Sequence, residues 1–212
     1  MISLINITRT YRERNREIRA LDHLSITINE GEFLAVTGPS GCGKTTLLNV
    51  LGGYDRPQQG LYLIDGEIVT DLSDIRAITG MVFQDFQLLP YLNVRENVML
   101  PLHMKGIKCD DRRLDWVMKQ VGLSDYRLSY PHQLSGGQKQ RTAIARVLMS
   151  QARIILADEP TGALDKDNAV KIVELLSGLK RKGMTVIMVT HDEHLAFQAD
   201  RCIRMERGHV VS

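Results

Sequence analysis

The octapeptide Gly38-Pro39-Ser40-Gly41-Cys42-Gly43-Lys44-Thr45 constrains the fold of this chain more than any other stretch. It matches G-x-x-x-x-G-K-[ST], and its neighbours supply the context that motif requires. The largely apolar run Glu32-Phe33-Leu34-Ala35-Val36-Thr37 precedes it, and Thr45-Thr46-Leu47-Leu48-Asn49-Val50-Leu51 reads as a helix. Strand, Gly-rich loop and helix together aim free backbone N–H groups and a helix N-terminus at an anion. Lys44 is then placed to reach the β and γ phosphates of a nucleotide and Thr45 to ligate Mg²⁺. Gly38, Ser40, Gly41, Cys42, Gly43 and Thr46 complete the expected nucleotide-binding set. At average composition such a match arises by accident in roughly one chain of this length in a hundred, so a Gly-rich surface turn is the weaker reading.

Two later runs, Ile154-Ile155-Leu156-Ala157 and Thr185-Val186-Ile187-Met188-Val189-Thr190, are continuously apolar, which suits parallel strands covered on both faces. Between them a helix is expected near residues 166–182, with Ile172, Leu175, Leu176 and Leu179 on one stripe and Gly183 at its end. Strand, helix, strand is an α/β pattern. Residues 85–150 read differently, being mostly helical and without convincing strands. Asp110 or Asp111 can cap a helix there whose Leu114, Val117, Met118 and Val121 share a face. The expected fold is α/β: a phosphate-loop core with a mixed β-sheet, residues 1–84 and 151–212, into which a helical subdomain, residues 85–150, is inserted. No internal repeat or low-complexity tail interrupts it, and the chain ends soon after its last expected strand, near residues 207–211.

Phosphoryl transfer to water needs positioned phosphates, a metal, and a group that orients or deprotonates the attacking water. Asp158 follows the apolar run 154–157, where a carboxylate can meet the Mg²⁺ held by Thr45. Glu159 comes next and serves as the expected general base. His191 follows the run 185–190, whose parallel neighbour brings it to the same sheet edge, and it can donate to a γ phosphate. A lone histidine is more often structural. Gln84, after Met81-Val82-Phe83, is a neutral amide that can touch metal or water when a loop closes.

Leu134-Ser135-Gly136-Gly137-Gln138 precedes an expected helix through Arg141, Ile144, Ala145 and Leu148. A hydroxyl and two glycine amides at a helix N-terminus form a second anion site. One chain with two phosphate sites on different lobes is simply explained if the second site on one copy binds the γ phosphate held by another copy. The alternative, a Ser and Gly helix cap, leaves the full pentapeptide unexplained.

These motifs, with Ala163-Leu164-Asp165, resemble in order and over essentially the whole chain the ATP-binding cassette (ABC) family of transporter ATPases. The resemblance implies a RecA-like core with ATP and Mg²⁺ as ligands. Tyr11 would stack on adenine, Lys44 and Thr45 hold phosphate and Mg²⁺, and Gln84 sense the γ phosphate. Asp158 would be the metal-linked acid, Glu159 the base and His191 the switch histidine. Ser135, Gly137 and Gln138 would act on the ATP of a second copy, with Gly136 in the same turn and Asp165 at the same interface. It also implies a separate integral membrane subunit, no nucleic-acid partner, and a place on the cytoplasmic face of a membrane through that subunit. Val82-Phe83-Gln84-Asp85-Phe86-Gln87-Leu88-Leu89-Pro90 and Glu96-Asn97-Val98-Met99-Leu100-Pro101-Leu102 resemble the branch containing lipoprotein-release, macrolide-export and cell-division ATPases. The segment 71–79 is shorter than that branch usually carries.

Composition narrows the rivals. The 27 basic and 25 acidic residues leave a net charge of +2, with no bulk positive field for nucleic acid. Arg9, Arg12, Arg14, Arg16 and Arg19 crowd around Tyr11, but Glu13 and Glu17 interrupt them, and a solvated hairpin is the stronger reading. Three cysteines, Cys42, Cys109 and Cys202, suggest neither a disulfide framework nor a zinc site. No signal peptide or membrane-spanning run is expected. A soluble cassette ATPase of DNA repair or translation would commonly bring a second cassette, a coiled-coil insertion or a zinc module. A phosphate-loop kinase or GTPase has no use for residues 134–138, and Glu159 and His191 argue against a clamp without turnover. Phe86, Leu88, Leu89, Tyr91 and Leu92 read equally as lobe core or as a groove for a membrane subunit's helix. Cys42, beside a helix N-terminus and Lys44, is in a setting that favours thiolate, so alkylation is expected to inhibit and ATP to protect.

Overall fold

A computed structural model of the chain describes residues 1–13, 16–108 and 110–211, which leaves Arg14 and Cys109 of the residues named above outside it. In chain order, β1 (Ile2–Glu13) and β2 (Arg16–Ile28) form a hairpin, and β3 (Phe33–Thr37) enters the Gly-rich loop and α1 (Lys44–Leu51). Next come β4 (Gln59–Ile64), β5 (Glu67–Ile68), α2 (Leu72–Ile78) and β6 (Thr79–Val82). The helical stretch holds α3 (Val94–Met104), α4 (Asp111–Gln120) and α5 (Gly136–Met149). The chain closes with β7 (Ile154–Asp158), α6 (Lys166–Lys180), β8 (Thr185–Val189), the short α7 (Glu193–Ala196), β9 (Arg201–Glu206) and β10 (His209–Val210).

The strands form two sheets, ordered β2-β1-β4-β5 and β10-β9-β3-β8-β7-β6. The first is antiparallel throughout. In the second, β9, β3, β8, β7 and β6 run parallel and only the edge strand β10 is antiparallel. β3, β6 and β8 are buried along their whole length, as strands covered on both faces are. Successive side chains on a strand point to opposite faces, and here they feed two separate cores. Val186 and Met188 of β8, with Ile155 and Ala157 of β7, pack into one core with the helices α3 to α6. Ile187 and Val189, with Ile154 and Leu156, pack into the other with α1 and the antiparallel sheet.

Parallel order places the carboxyl ends of β9, β3, β8, β7 and β6 on one edge, the edge at which open α/β sheets bind ligands. Val36 of β3 and Asp158 of β7 both lie level with Val189 of β8, and Val82 of β6 lies level with Ala157. The Gly-rich loop, Gln84, the 158–159 pair and His191 therefore leave the sheet together.

Local chemistry explains the helix limits. Asp110 caps α4 by accepting from Arg112 N, and Leu114, Val117, Met118 and Val121 are all buried. The helix expected to run to residue 182 stops at Lys180, where Gly183 N turns back to Lys180 O at 2.8 Å. The expected hairpin is present, with Tyr11 facing Ile18 and Arg12 facing Glu17. It is not solvated throughout, because Arg9 is drawn onto Tyr11 and Asp55 with its side chain only 22 % exposed. The apolar cluster after Gln84 divides: Leu88 packs against the helical core, whereas Tyr91 is 70 % exposed.

Candidate nucleotide site

The Gly-rich loop closes tightly on its surroundings. Gly43 has φ +109, and a Cβ there would stand 2.2 Å from Ala20 O, which a bulge between Arg19 and Leu21 pushes towards the loop. Gly38 has φ +143 and would meet Met205 O at 2.2 Å. Only glycine fits either position. Lys44 is 9 % exposed, and its Nζ donates to Gly38 O at 2.7 Å and Pro39 O at 3.0 Å. A phosphate in the cradle would replace these neutral acceptors with charged ones, which make stronger bonds.

Across the loop, Thr45 Oγ1 donates to Asp158 Oδ1 at 3.5 Å. Burial pushes the Asp158 carboxyl above its ordinary range. The Thr45 hydrogen bond and Lys44 oppose that shift, and the Glu159 charge adds to it. A divalent cation between these oxygens would offset the cost of burying the carboxylate. One carboxylate and one hydroxyl beside a phosphate cradle is a donor set that fits Mg²⁺, which keeps few protein ligands and takes the rest from phosphate and water. Among the described residues there is no cluster of three or more His, Cys, Asp or Glu able to hold a metal by itself.

Glu159 occupies the left-handed region at φ +48, a strained setting for a non-glycine residue. Its backbone is pinned there, with Glu159 N donating to Val189 O and Gly162 N donating to Glu159 O, both at 3.0 Å. Its Oε2 lies 2.5 Å from His191 Nδ1. With Nδ1–H given to this carboxylate, His191 Nε2 can donate to a phosphate only as imidazolium. The ring is 71 % exposed and the Glu159 side chain 20 %.

An open cleft of about 320 Å³ gathers Tyr11, Ser40, Gly41, Gly43, Lys44, Thr45, Thr46, Asp158 and Glu159 of the expected set, with Ala20 and Val189. Gln84 is exposed beside it, its amide near Gly162, where a Cβ would come within 2.9 Å of Gln84 Nε2. Two α5 side chains brace its loop. Gln140 Nε2 donates to Phe83 O at 3.3 Å, and the Arg146 guanidinium donates to Gln87 O at 2.6 Å and Phe86 O at 3.2 Å. Phe86 and Gln87 are both at positive φ, +62 and +45. Sequence offers little signal for these braces, because they join residues 57 to 60 apart.

Ser135, Gly136, Gly137, Gln138 and Asp165 lie outside the cleft lining. Ser135 caps α5: its hydroxyl accepts from Gln138 N at 3.3 Å, and Gln138 Oε1 accepts from Ser135 N at 2.8 Å. Asp165 caps α6 and also accepts from Asn168 Nδ2 at 2.7 Å. The two caps adjoin, since a Cβ on Gly137 would stand 2.8 Å from Asn168 Oδ1 and one on Gly136 3.0 Å from Leu164. Two helix N-termini thus present one small-residue surface. Cys42 is buried, with Sγ 3.9 Å from Lys44 Nζ, and Cys202 is exposed.

A sequence profile described as ABC transporter matches residues 21–162. The chain is 46 % identical to an uncharacterized ABC transporter ATP-binding protein, YvrO, of Bacillus subtilis (strain 168), over all of this chain and 96 % of that protein. It is 42 % identical to the macrolide export ATP-binding/permease protein MacB 1 of Yersinia pestis bv. Antiqua (strain Antiqua), where it covers 34 % of that longer protein. Among solved structures it is similar to the ATP-binding cassette MJ0796, seen as a dimer in a post-hydrolysis state with ADP and Pi. The TM-score there is 0.89 at 41 % identity, over all of this chain and 97 % of the other.

Proposed function

The chain belongs to the ABC transporter family, and from that premise we propose that two copies close around two ATP molecules to drive a membrane subunit. As a cassette of this family it binds ATP and hydrolyses it to ADP and phosphate. The soluble repair or translation reading loses its support, since its curated relatives are transporter components. What supports sharing of sites is the partition of the residues: the phosphate cradle and Glu159 border one cleft, while Ser135, Gly137, Gln138 and Asp165 lie outside it. A second copy can bring that surface to the mouth of the cleft. The dimeric cassette MJ0796 supports such an arrangement.

In this reading Tyr11 stacks on adenine, the loop amides and Lys44 hold the phosphates, and the Ser135 turn of the other copy closes on the γ phosphate. Thr45 and Asp158, joined by Gln84 when its loop closes, would hold Mg²⁺, which when bound neutralises phosphate charge. Glu159 takes a proton from water as the water oxygen bonds to the γ phosphorus and the bond to the ADP oxygen breaks. His191, hydrogen-bonded to Glu159 at 2.5 Å, orients that carboxylate and, when protonated, donates to the γ phosphate. ATP contacts both copies only in the closed state, so it shifts the equilibrium towards closure through that differential affinity.

Among the described residues no helix is long and apolar enough to cross a membrane. Membrane association would come through the partner subunit, at the cytoplasmic face, with the half-exposed stretch after Gln84 as its seat. Kinship with a macrolide export protein favours an export-type partner. Residues 1–84 and 151–212 act here as the nucleotide core and residues 85–150 as the lobe that carries the pentapeptide. Glu159→Gln tests the reading: ATP binding should persist, turnover should fall by roughly a hundredfold or more, and dimers should accumulate in ATP. Undiminished turnover would remove Glu159 as the base.

A further inference from the structure

We propose that Asp55 and Arg9 are positioning residues that hold the Tyr11 ring as a fixed platform for the nucleobase. The inference rests on the reading of Tyr11 as the adenine-stacking residue, and no motif in the sequence points to either partner. Tyr11 and Arg9 stand two apart on β1 and so share a face of the strand. The guanidinium carbon of Arg9 lies 4.6 Å from the centre of the Tyr11 ring, within the range of an attractive cation–π contact. Tyr11 Oη donates to Asp55 Oδ2 at 2.5 Å. Arg9 grips the same carboxylate with two nitrogens, Nε to Oδ2 at 2.8 Å and a terminal nitrogen to Oδ1 at 2.7 Å. The Asp55 side chain is 17 % exposed and that of Arg9 22 %.

This arrangement uses up the polar end and one face of the ring. The hydroxyl is committed to Asp55, so the side chain cannot swing out of place without breaking a charge-assisted bond, and the guanidinium stacked on the ring opposes rotation about the ring's own axis. One face lies under the guanidinium, which leaves the other for the cleft that Tyr11 lines with Ser40, Gly41 and Lys44. Asp55 in turn is tied to the phosphate-loop helix, because the backbone N–H groups of Tyr54 and Asp55 both donate to Asn49 O within α1. Base platform and phosphate cradle are therefore referenced to one rigid element, although β1 and α1 are separate in sequence. Ordering the ring beforehand spares ATP the entropy of ordering it on binding.

A half-buried ion pair that merely fastened the hairpin to α1 would affect all ligands of the cleft alike, whereas a base platform affects only those that carry a base. The test compares dissociation constants of the full-length chain for ATP and for inorganic tripolyphosphate, measured by calorimetry. Asp55→Ala should weaken ATP about tenfold, part of what loss of a stacking contact costs, and leave tripolyphosphate within twofold. Asp55→Asn, which keeps an acceptor for the hydroxyl but loses the ion pair, should fall between. Tyr11→Ala should weaken ATP at least as much, and adding Asp55→Ala to it should weaken ATP no further. Equal weakening of both ligands by Asp55→Ala, or no change in either with Tyr11→Ala effective, overturns the positioning role. If Tyr11→Ala itself leaves ATP affinity intact, the adenine reading of Tyr11 falls first and takes this inference with it.

Discussion

Gly43→Ala separates two costs that glycine avoids in the phosphate loop. The first is torsional: a residue with a side chain held at φ +109 loses about 1–2 kcal/mol. The second is steric, since the new Cβ would stand 2.2 Å from Ala20 O, where real Cβ contacts essentially never fall below 3.0 Å. The loop and the β2 bulge must therefore part by about 1 Å, and a displacement of that size near reacting groups can cost roughly a hundredfold in rate. Gly183→Ala is the control. Its φ is +92 and its Cβ would meet nothing within 4 Å, so it carries the torsional cost alone, far from the cleft. Scanning calorimetry should show both variants melting lower, Gly183→Ala by about 2–8 °C for a domain of this size. ATP turnover should fall by roughly a hundredfold in Gly43→Ala and stay within twofold of wild type in Gly183→Ala. Equal turnover in the two variants would refute the claim that close approach, rather than flexibility alone, demands glycine at position 43.

Asp158→Asn gives a pH-dependent expectation. Because burial raises this carboxyl above its unfolded pKa, the fold favours its neutral form, and the penalty for ionising it is absent below the unfolded value and complete above the folded one. The nucleotide-free variant should therefore melt higher than wild type at pH 7, with the gain vanishing as pH falls below about 4, while Mg²⁺ and ATP stabilise it less than they stabilise wild type. Thiol alkylation followed by mass spectrometry should label exposed Cys202 before buried Cys42. Turnover should be lost only with the Cys42 adduct, and ATP should slow that second step.

Elements built from local chemistry are legible in the sequence itself. The run 154–157, the loop 38–45 and the stripe of α6 each carry their signal within a dozen residues, and side-chain chemistry narrows the α4 cap to Asp110 or Asp111, of which the structure uses Asp110. The antiparallel sheet was harder to see. Leu24-Ser25-Ile26-Thr27-Ile28 alternates as a half-buried strand should, but β1 finds its partners in β2 and in β4, and the latter is distant in sequence. The arginine-rich hairpin reads as solvated because nothing near Arg9 announces Asp55, 46 residues away. Gln140 and Arg146 were invisible as braces of the Gln84 loop for the same reason. The pentapeptide was legible as chemistry, and the structure adds that its serine already serves as a cap and lies outside its own chain's cleft.

The central claim, that each ATP site is made from two copies, is tested most directly by mixing two inactive chains. Lys44→Ala disables the cradle and keeps the Ser135 surface, whereas Ser135→Arg disables that surface and keeps the cradle. Each alone should hydrolyse no ATP above background. In a heterodimer one of the two sites combines wild-type halves, so random pairing of equal amounts should restore up to about a quarter of wild-type turnover. No recovery, with heterodimers demonstrated in the same mixture, would contradict shared sites.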